Sequence, residues 1–191
     1  MVDKPILMIH EINKPLLDSN INFEEYVLTF DDCLYSQYYY WDFFRNLETT
    51  KILFVTCSFI HRLPLRDRFK GNYIEFPTCE EALNKRFKDP YNYMSLEEII
   101  YLINSTPDLI IGGHGHSHTR IEKLSDVGKI SEFQKDIRLM VNWFELNLNI
   151  SPQYYCYPFN YDDIKAKNAV FKKYNIKHVY GKERIDVRTL L

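Results

Sequence analysis

Short apolar runs, repeated along the chain, are the feature that most constrains its fold. Each run has roughly four to seven residues rich in β-branched and aromatic side chains, which is typical of a buried strand. The runs are Ile6–Ile9, Tyr26–Phe30, Lys51–Cys57, Leu109–Ile111, Tyr154–Tyr157 and Lys177–Tyr180. Helical signals lie between them, and one helical face is formed by Leu34, Tyr38, Trp41 and Phe44. This alternation predicts an α/β fold with a largely parallel sheet.

Helix starts are predicted where a serine or threonine precedes a glutamate or glutamine by three residues, the spacing of a capping box. The pairs with this spacing are Thr78 with Glu81, Ser95 with Glu98 and Ser131 with Gln134. The last pair is predicted to open a long amphipathic helix, whose apolar side is Phe133, Ile137, Met140, Val141 and Phe144. Asn160 is predicted to cap a further helix that continues through Tyr174.

The amino-acid composition limits the classes of protein to which this chain can belong. The 191 residues are 46% hydrophobic, which suits a single domain, residues 1–191, with a sizeable core. A net charge of -2 without a long basic block excludes nucleic acid as an expected partner. The four cysteines show no CxxC spacing, which disfavours a disulfide framework or a thiolate zinc site. No signal-like or membrane-spanning segment is visible, so a cytoplasmic protein is expected, with its oligomeric state open.

Two adjacent carboxylates, Asp31 and Asp32, follow the apolar run Tyr26–Phe30. Ligand sites of parallel α/β sheets gather at the carboxyl ends of strands, which is where this pair is expected. One interpretation is a cap for the helix that follows, since aspartate caps helices well. The other is a site in which one carboxylate binds a cation and its neighbour handles a proton.

Three of the six histidines fall within five residues, in the segment His114-Gly115-His116-Ser117-His118. The spacing of His114 and His118 lets two imidazoles converge on one ion, and a carboxylate would complete an open, catalytic kind of site. His116 is an alternative ligand, as in the His-x-His sites of other hydrolases. Histidines that only hydrogen-bond within a loop are the structural alternative.

Three motifs in order resemble those of the polysaccharide deacetylases, carbohydrate esterase family 4, also called the NodB-homology family. Thr29-Phe30-Asp31-Asp32 resembles the first motif, the segment from His114 to His118 the second, and Tyr157-Pro158-Phe159-Asn160 the third. The resemblance covers most of the chain and is greatest to short cytoplasmic members associated with O-antigen or capsule biosynthesis. It implies a distorted, incomplete (β/α) barrel, TIM-barrel-like, with about five to seven mostly parallel strands.

The resemblance also implies a site. Asp32, His114 and His118 would bind one divalent metal ion, with zinc first and cobalt, nickel or iron as alternatives. Asp31 would be the general base that deprotonates a metal-bound water. The backbone N–H of Phe159 would help to hold the oxyanion.

Further residues take part in substrate binding or proton transfer under this resemblance. Tyr157, Pro158 and Arg120 are predicted substrate contacts, while His116 and His10 are predicted as supports of the metal ligands or as the general acid. His61 is another possible donor, and His178 is the only histidine after Pro158.

The chain departs from the family pattern in two ways. The five residues before Pro158 contain no arginine, which predicts that Asp31 lacks the arginine partner used by its relatives. The late histidine motif of the family is also missing. Arg120 and the basic loop from Arg62 to Lys70 are candidates for the missing positive charge, and the loop for contact with an anionic substrate.

The function predicted from the sequence is a metal-dependent hydrolase that removes the N-acetyl or another N-acyl group from an amino sugar in surface polysaccharide biosynthesis. Its partner would be an N-acylated sugar or sugar precursor. The first alternative is a catalytically impaired relative that binds an N-acyl sugar or metal without efficient turnover. The second is another metal hydrolase, in which His114, His116 and His118 all bind one ion.

Overall fold

A parallel sheet organises the chain. The computed structural model describes residues 4–86, 88–165 and 167–191, and within these ranges the sheet has seven strands. They are β1 (Ile6–Ile9), β2 (Val27–Phe30), β3 (Lys51–Val55), β4 (Leu109–Gly113), β5 (Tyr154–Cys156), β6 (His178–Tyr180) and β7 (Ile185–Asp186). Their order is β6-β5-β4-β3-β2-β1-β7, and the pairings β1–β2, β1–β7, β2–β3, β4–β5 and β5–β6 are all parallel. The predicted α/β class and the distorted, incomplete (β/α) barrel of about five to seven mostly parallel strands are confirmed.

The helices alternate with these strands. They are α1 (Lys14–Leu17), α2 (Tyr35–Tyr39), α3 (Asp42–Arg45), α4 (Cys79–Lys85), α5 (Leu96–Ser105), α6 (Asp126–Leu148) and α7 (Lys167–Lys173). The capping boxes of Thr78 and Ser95 are both formed as predicted.

Two predicted helix starts are wrong. The long helix α6 begins at Asp126 rather than after Ser131, because Ser125 caps it by accepting the N–H of Gly128. Asn160 does not cap a helix: it lies in a 3₁₀ turn with a positive φ of 54°, and α7 is described only from Lys167.

The chain divides into two compact units, and β3 contributes residues to both. The first unit comprises residues 1–53, 59–110 and 184–191, of which residues 1–3 and 87 lie outside the described ranges. It contains β1, β2, β7 and the start of β3. Phe30 packs edge-on against Trp41, with ring centroids 5.0 Å apart. Lys51 is fully buried, and its Nζ donates to the carbonyls of Leu47 and Thr49 and to Asp108. The buried face predicted from Leu34 to Phe44 is confirmed, although two short helices form it.

The second unit comprises residues 54–58 and 111–183. It contains the end of β3 together with β5, β6, α6, α7 and the glycine-rich end of β4. The predicted apolar side of α6 is buried, as expected. A Cβ on Gly113 would lie 2.1 Å from the sulfur of Met140, so a larger residue there would force the Met140 side chain to move.

Membrane insertion by a helix finds no support in the described ranges, because none of their helices combines the length and the apolarity that a bilayer crossing needs.

Candidate metal centre and active site

The aspartate pair lies where β2 ends. The N–H of Asp31 donates to the carbonyl of Ile9 at 3.0 Å, which continues the pairing of β1 with β2 by one residue. Asp32 and Cys33 then adopt positive φ angles of 70° and 56°, so the chain turns sharply after Asp31. Helix α2 begins only at Tyr35, and its cap residue Leu34 makes no side-chain capping bond. The helix-cap interpretation of the pair is therefore wrong.

Asp31 has an arginine partner, contrary to the prediction. Nη1 of Arg184 donates to Oδ1 of Asp31 at 2.8 Å, and both side chains are 1% exposed. The same nitrogen donates to Oγ1 of Thr29 at 3.2 Å. Two hydrogen bonds and full burial hold the guanidinium beside the carboxylate, so the charge of Asp31 is compensated. The sequence prediction concerned the residues before Pro158, whereas the arginine lies just before β7.

Asp32 is buried next to a cysteine. The thiol of Cys79 donates to Oδ2 of Asp32 at 3.3 Å, and the N–H of Cys79 donates to Oε2 of Glu11 at 3.1 Å. Burial, reinforced by the charge of Asp32, raises the pKa of the Cys79 thiol well above its ordinary value. Cys79 therefore acts as a hydrogen-bond donor that orients the carboxylate.

His10 follows β1 and lies beside these groups. The ligand atoms of His10, Asp32 and Cys79 all lie within 4.8 Å of one another. Nδ1 of His10 is buried and has no hydrogen-bond partner among the described residues. The imidazole of His10 thus lies near the carboxylate of Asp32.

Replacing Cys79 by serine tests whether the sulfur orients Asp32 or binds a metal. Serine keeps a donor, so we expect Co²⁺ affinity within about threefold of wild type and a stability loss of about 1 kcal/mol at most. Wild-type protein loaded with Co²⁺ should show no sulfur-to-cobalt charge-transfer band in the near ultraviolet. A strong band that disappears in Cys79→Ser would instead make Cys79 a ligand.

His114 and His118 lie at the carboxyl end of β4. The N–H of His114 donates to the carbonyl of Val55 at 2.8 Å, and its Nδ1 lies 2.9 Å from the carbonyl oxygen of Cys156. Because a carbonyl only accepts, Nδ1 carries the proton, and Nε2 is the nitrogen that could act as a metal ligand. His118 has a positive φ of 50°, and its ring centroid lies 4.9 Å from that of His114. The bend between the two residues places their imidazoles side by side.

His116 is used differently. Its Nδ1 lies 3.0 Å from Oγ of Ser117, and its N–H donates to Asp136 at 2.8 Å. Among the described residues, the groups of side chains close enough to share an ion do not include His116. This arrangement gives no support to a site in which all three histidines bind one ion.

A buried set of donors fits a divalent metal. Asp32 is buried in the first unit, His114 and His118 are buried in the second, and the three are one of the groups of residues that could hold a metal ion. Two imidazoles and one carboxylate are a common donor set for catalytic zinc and related ions, and leave positions for water and substrate.

The third motif forms a tight turn after β5. Phe159 has a positive φ of 56°, and its ring packs edge-on against His118 at a centroid distance of 4.4 Å. The guanidinium of Arg120 stacks on the same ring at 3.7 Å. Tyr157 is 4% exposed and packs on Phe133, so its side chain belongs to the core beneath this turn. Pro158 begins the turn and is partly exposed.

The basic loop after β3 is tied to its own unit. Arg66 forms an ion pair with Glu98 at 2.7 Å and stacks over the ring of Tyr35 at 3.6 Å. Arg68 lies 4.9 Å from the ring centre of Tyr101. Both arginines therefore contact side chains of their own unit, and these contacts explain their presence without an anionic substrate.

Comparison with solved structures shows which known proteins share this fold. IcaB from Ammonifex degensii aligns over 93% of this chain and 82% of its own, with a TM-score of 0.63 and 14% identity. A de-N-acetylase from Aggregatibacter actinomycetemcomitans aligns over 93% and 87%, with a TM-score of 0.64 and 11% identity. The Streptococcus pyogenes deacetylase PplD, solved with acetate, aligns over 92% and 81%, with a TM-score of 0.58 and 13% identity.

The fold is shared with solved deacetylases, among them a polysaccharide deacetylase from Bacillus cereus. The resemblance predicted from the three motifs is therefore confirmed at the level of the fold. No family model matches the chain. No curated protein matches it either. At 11% to 14% identity the likeness shows the fold alone, and the site and its chemistry have to be argued from the residues.

Proposed function

We propose that the protein is a metal-dependent hydrolase that removes the N-acetyl, or another N-acyl, group from an amino sugar. The observation that carries the proposal is the buried donor set of Asp32, His114 and His118 together with the Asp31–Arg184 pair. The deacetylase fold supports the same chemistry. The impaired alternative rests on two departures, a missing arginine and a missing late histidine motif, and the pairing of Arg184 with Asp31 removes the first of them.

In this mechanism each group has one task. Asp32, His114 and His118 would hold the ion, which when bound lowers the pKa of a water and polarises the amide carbonyl. Asp31 would take the proton of the attacking water, since Arg184 orients its carboxylate. The N–H of Phe159, held in a fixed turn, would donate to the oxyanion.

The leaving amine needs a proton donor, and we propose His10. Its imidazole lies within 4.8 Å of the ligand atom of Asp32, whereas the ring of His116 hydrogen-bonds Ser117. β1 and β2 end together, because Ile9 pairs with Phe30, which brings His10 next to Asp31. Base and acid would thus come from adjacent strand ends.

The substrate class follows from the same likeness. The Aggregatibacter actinomycetemcomitans protein is a de-N-acetylase and PplD was solved with acetate, and both support an acetyl group on nitrogen as the group removed. We propose an N-acylated sugar or sugar precursor as substrate, with Arg120 and the turn at Pro158 and Phe159 as contacts. Zinc, a cytoplasmic location and a role in O-antigen or capsule biosynthesis belong to this proposal and are supported by the motifs alone.

Acetate release from N-acetylated amino-sugar monomers and oligomers, with zinc or cobalt added, tests the proposal. We expect acetate and free amine in equal amounts from wild-type protein. Asp31→Asn should lower kcat by about 10²–10⁴-fold, the usual worth of a general base, while metal still binds. Asp18→Asn, an exposed aspartate, is the matched control. Unchanged turnover in Asp31→Asn would remove that residue as the base.

A further inference from the structure

We propose that Asp136 is a positioning residue for the two histidines at the end of β4. Its carboxylate accepts two successive backbone N–H groups, that of His116 on Oδ2 at 2.8 Å and that of Ser117 on Oδ1 at 2.9 Å. These amides lie in the bend between His114 and His118. The inference rests on the proposed function, in which those two imidazoles hold the ion.

The carboxylate of Asp136 lies on a buried helix face, where it needs hydrogen-bond donors, and the bend supplies them. The buried residues of α6 are Phe133, Asp136, Ile137, Met140, Val141 and Phe144, so Asp136 is the single charged group on the buried face described for this helix. Burying a carboxylate costs several kcal/mol unless charge-assisted hydrogen bonds compensate it. The two N–H bonds offset part of that cost, and an apolar residue here would leave both amides without their acceptor.

The bend is built closely around the carboxylate. A Cβ on Gly115 would lie 2.5 Å from Oδ2 of Asp136, and Gly115 has a positive φ of 76°. The carbonyls of the same segment are also used, since Cys57 donates to Gly115 at 3.3 Å and Ser58 donates to His116 at 2.8 Å. The backbone between the two histidines is therefore fixed from both sides, with Asp136 binding its N–H groups.

The consequence concerns the direction of His118. His118 has a positive φ of 50° immediately after the bend. The centroid of its ring lies 4.4 Å from that of Phe159. If Asp136 lost one acceptor, the segment would relax and His118 would turn away from His114. Outer residues that orient metal ligands typically contribute 10- to 100-fold in metal affinity, roughly the loss we expect.

Asp136→Asn tests the inference, because asparagine keeps the shape but accepts with only one oxygen. We expect Co²⁺ to bind roughly 10- to 100-fold more weakly and the visible cobalt bands to shift. Glu132→Gln, which changes a half-buried carboxylate on the same helix, should leave both unchanged. Asp136→Glu keeps the charge and both acceptor oxygens, so it should bind Co²⁺ more tightly than Asp136→Asn does. If Asp136→Asn does not fold, Asp136→Glu is compared with wild type in its place.

A metal-free readout separates this inference from the proposed function. Imidazole ¹⁵N–¹H spectra without metal should show shifted signals for His118 in Asp136→Asn but not in Glu132→Gln. A wild-type protein that binds no Co²⁺ would refute the metal site, while the imidazole signals would still test the role of Asp136. Loss of stability in Asp136→Asn with wild-type cobalt bands, affinity and imidazole signals would reduce Asp136 to a structural residue and overturn the inference.

Discussion

Replacing Arg184 by methionine is expected to destabilise the protein by about 3–5 kcal/mol, the usual cost of breaking one partner out of a buried ion pair. Arg184 and Asp31 are each 1% exposed, so Asp31 would keep a buried charge without its guanidinium. Urea unfolding measures the loss. Turnover should fall as well, because the carboxylate of Asp31 loses the group that orients it.

A matched control lies four residues further along. Arg188 pairs with Asp186 but is 53% exposed, so Arg188→Met should cost no more than about 1 kcal/mol. Adding Asp31→Asn to Arg184→Met should restore much of the stability, since the uncompensated charge is then gone. Equal losses for Arg184→Met and Arg188→Met would show that the buried pair does not have the role assigned to it.

Replacing His118 by alanine is expected to leave purified protein nearly free of metal. Structural zinc sites bind with a free energy of about 10–16 kcal/mol, which is divided among their ligands. Removing one of three protein ligands should therefore weaken metal binding by about 3 kcal/mol or more, roughly a hundredfold in affinity. Asp32→Ala should behave in the same way. Metal analysis after extensive dialysis measures the effect.

His116→Ala is the matched control for the loss of metal in His118→Ala. It lies two residues before His118, yet it does not belong to the described groups that could share an ion. We expect His116→Ala to retain its metal. Metal loss in His116→Ala together with retention in Asp32→Ala would favour a site built from three histidines.

The sheet was predictable where strands are long and apolar. The run Ile6–Ile9 is β1 as predicted. The aspartate pair and the histidine cluster follow the carboxyl ends of β2 and β4, where parallel sheets place their ligand sites. β7 was missed because it has only two residues and no apolar run. Its pairing with β1 is a matter of tertiary structure, so local pattern does not reveal it.

The partner of Asp31 was unpredictable for the same reason. Arg184 is separated from Asp31 by 153 residues, and nothing in the local sequence marks it. The link appears only in the strand order, where β1 lies between β2 and β7. Asp136 was hidden as well, since the helical pattern there marks an apolar face on which one carboxylate looks like an exception. A charged residue on a predicted buried face is the signal that would have found it.

The proposed activity, amide hydrolysis, depends on one divalent metal per chain. It is tested most directly by stripping the protein with a chelator, adding zinc or cobalt stepwise, and following acetate release from an N-acetylated amino-sugar oligomer. We expect no release from stripped protein, a rise proportional to bound metal, saturation near one ion per chain, and no release from metal-loaded Asp31→Asn. Undiminished release from stripped protein, or release from Asp31→Asn at the wild-type rate, would contradict the account.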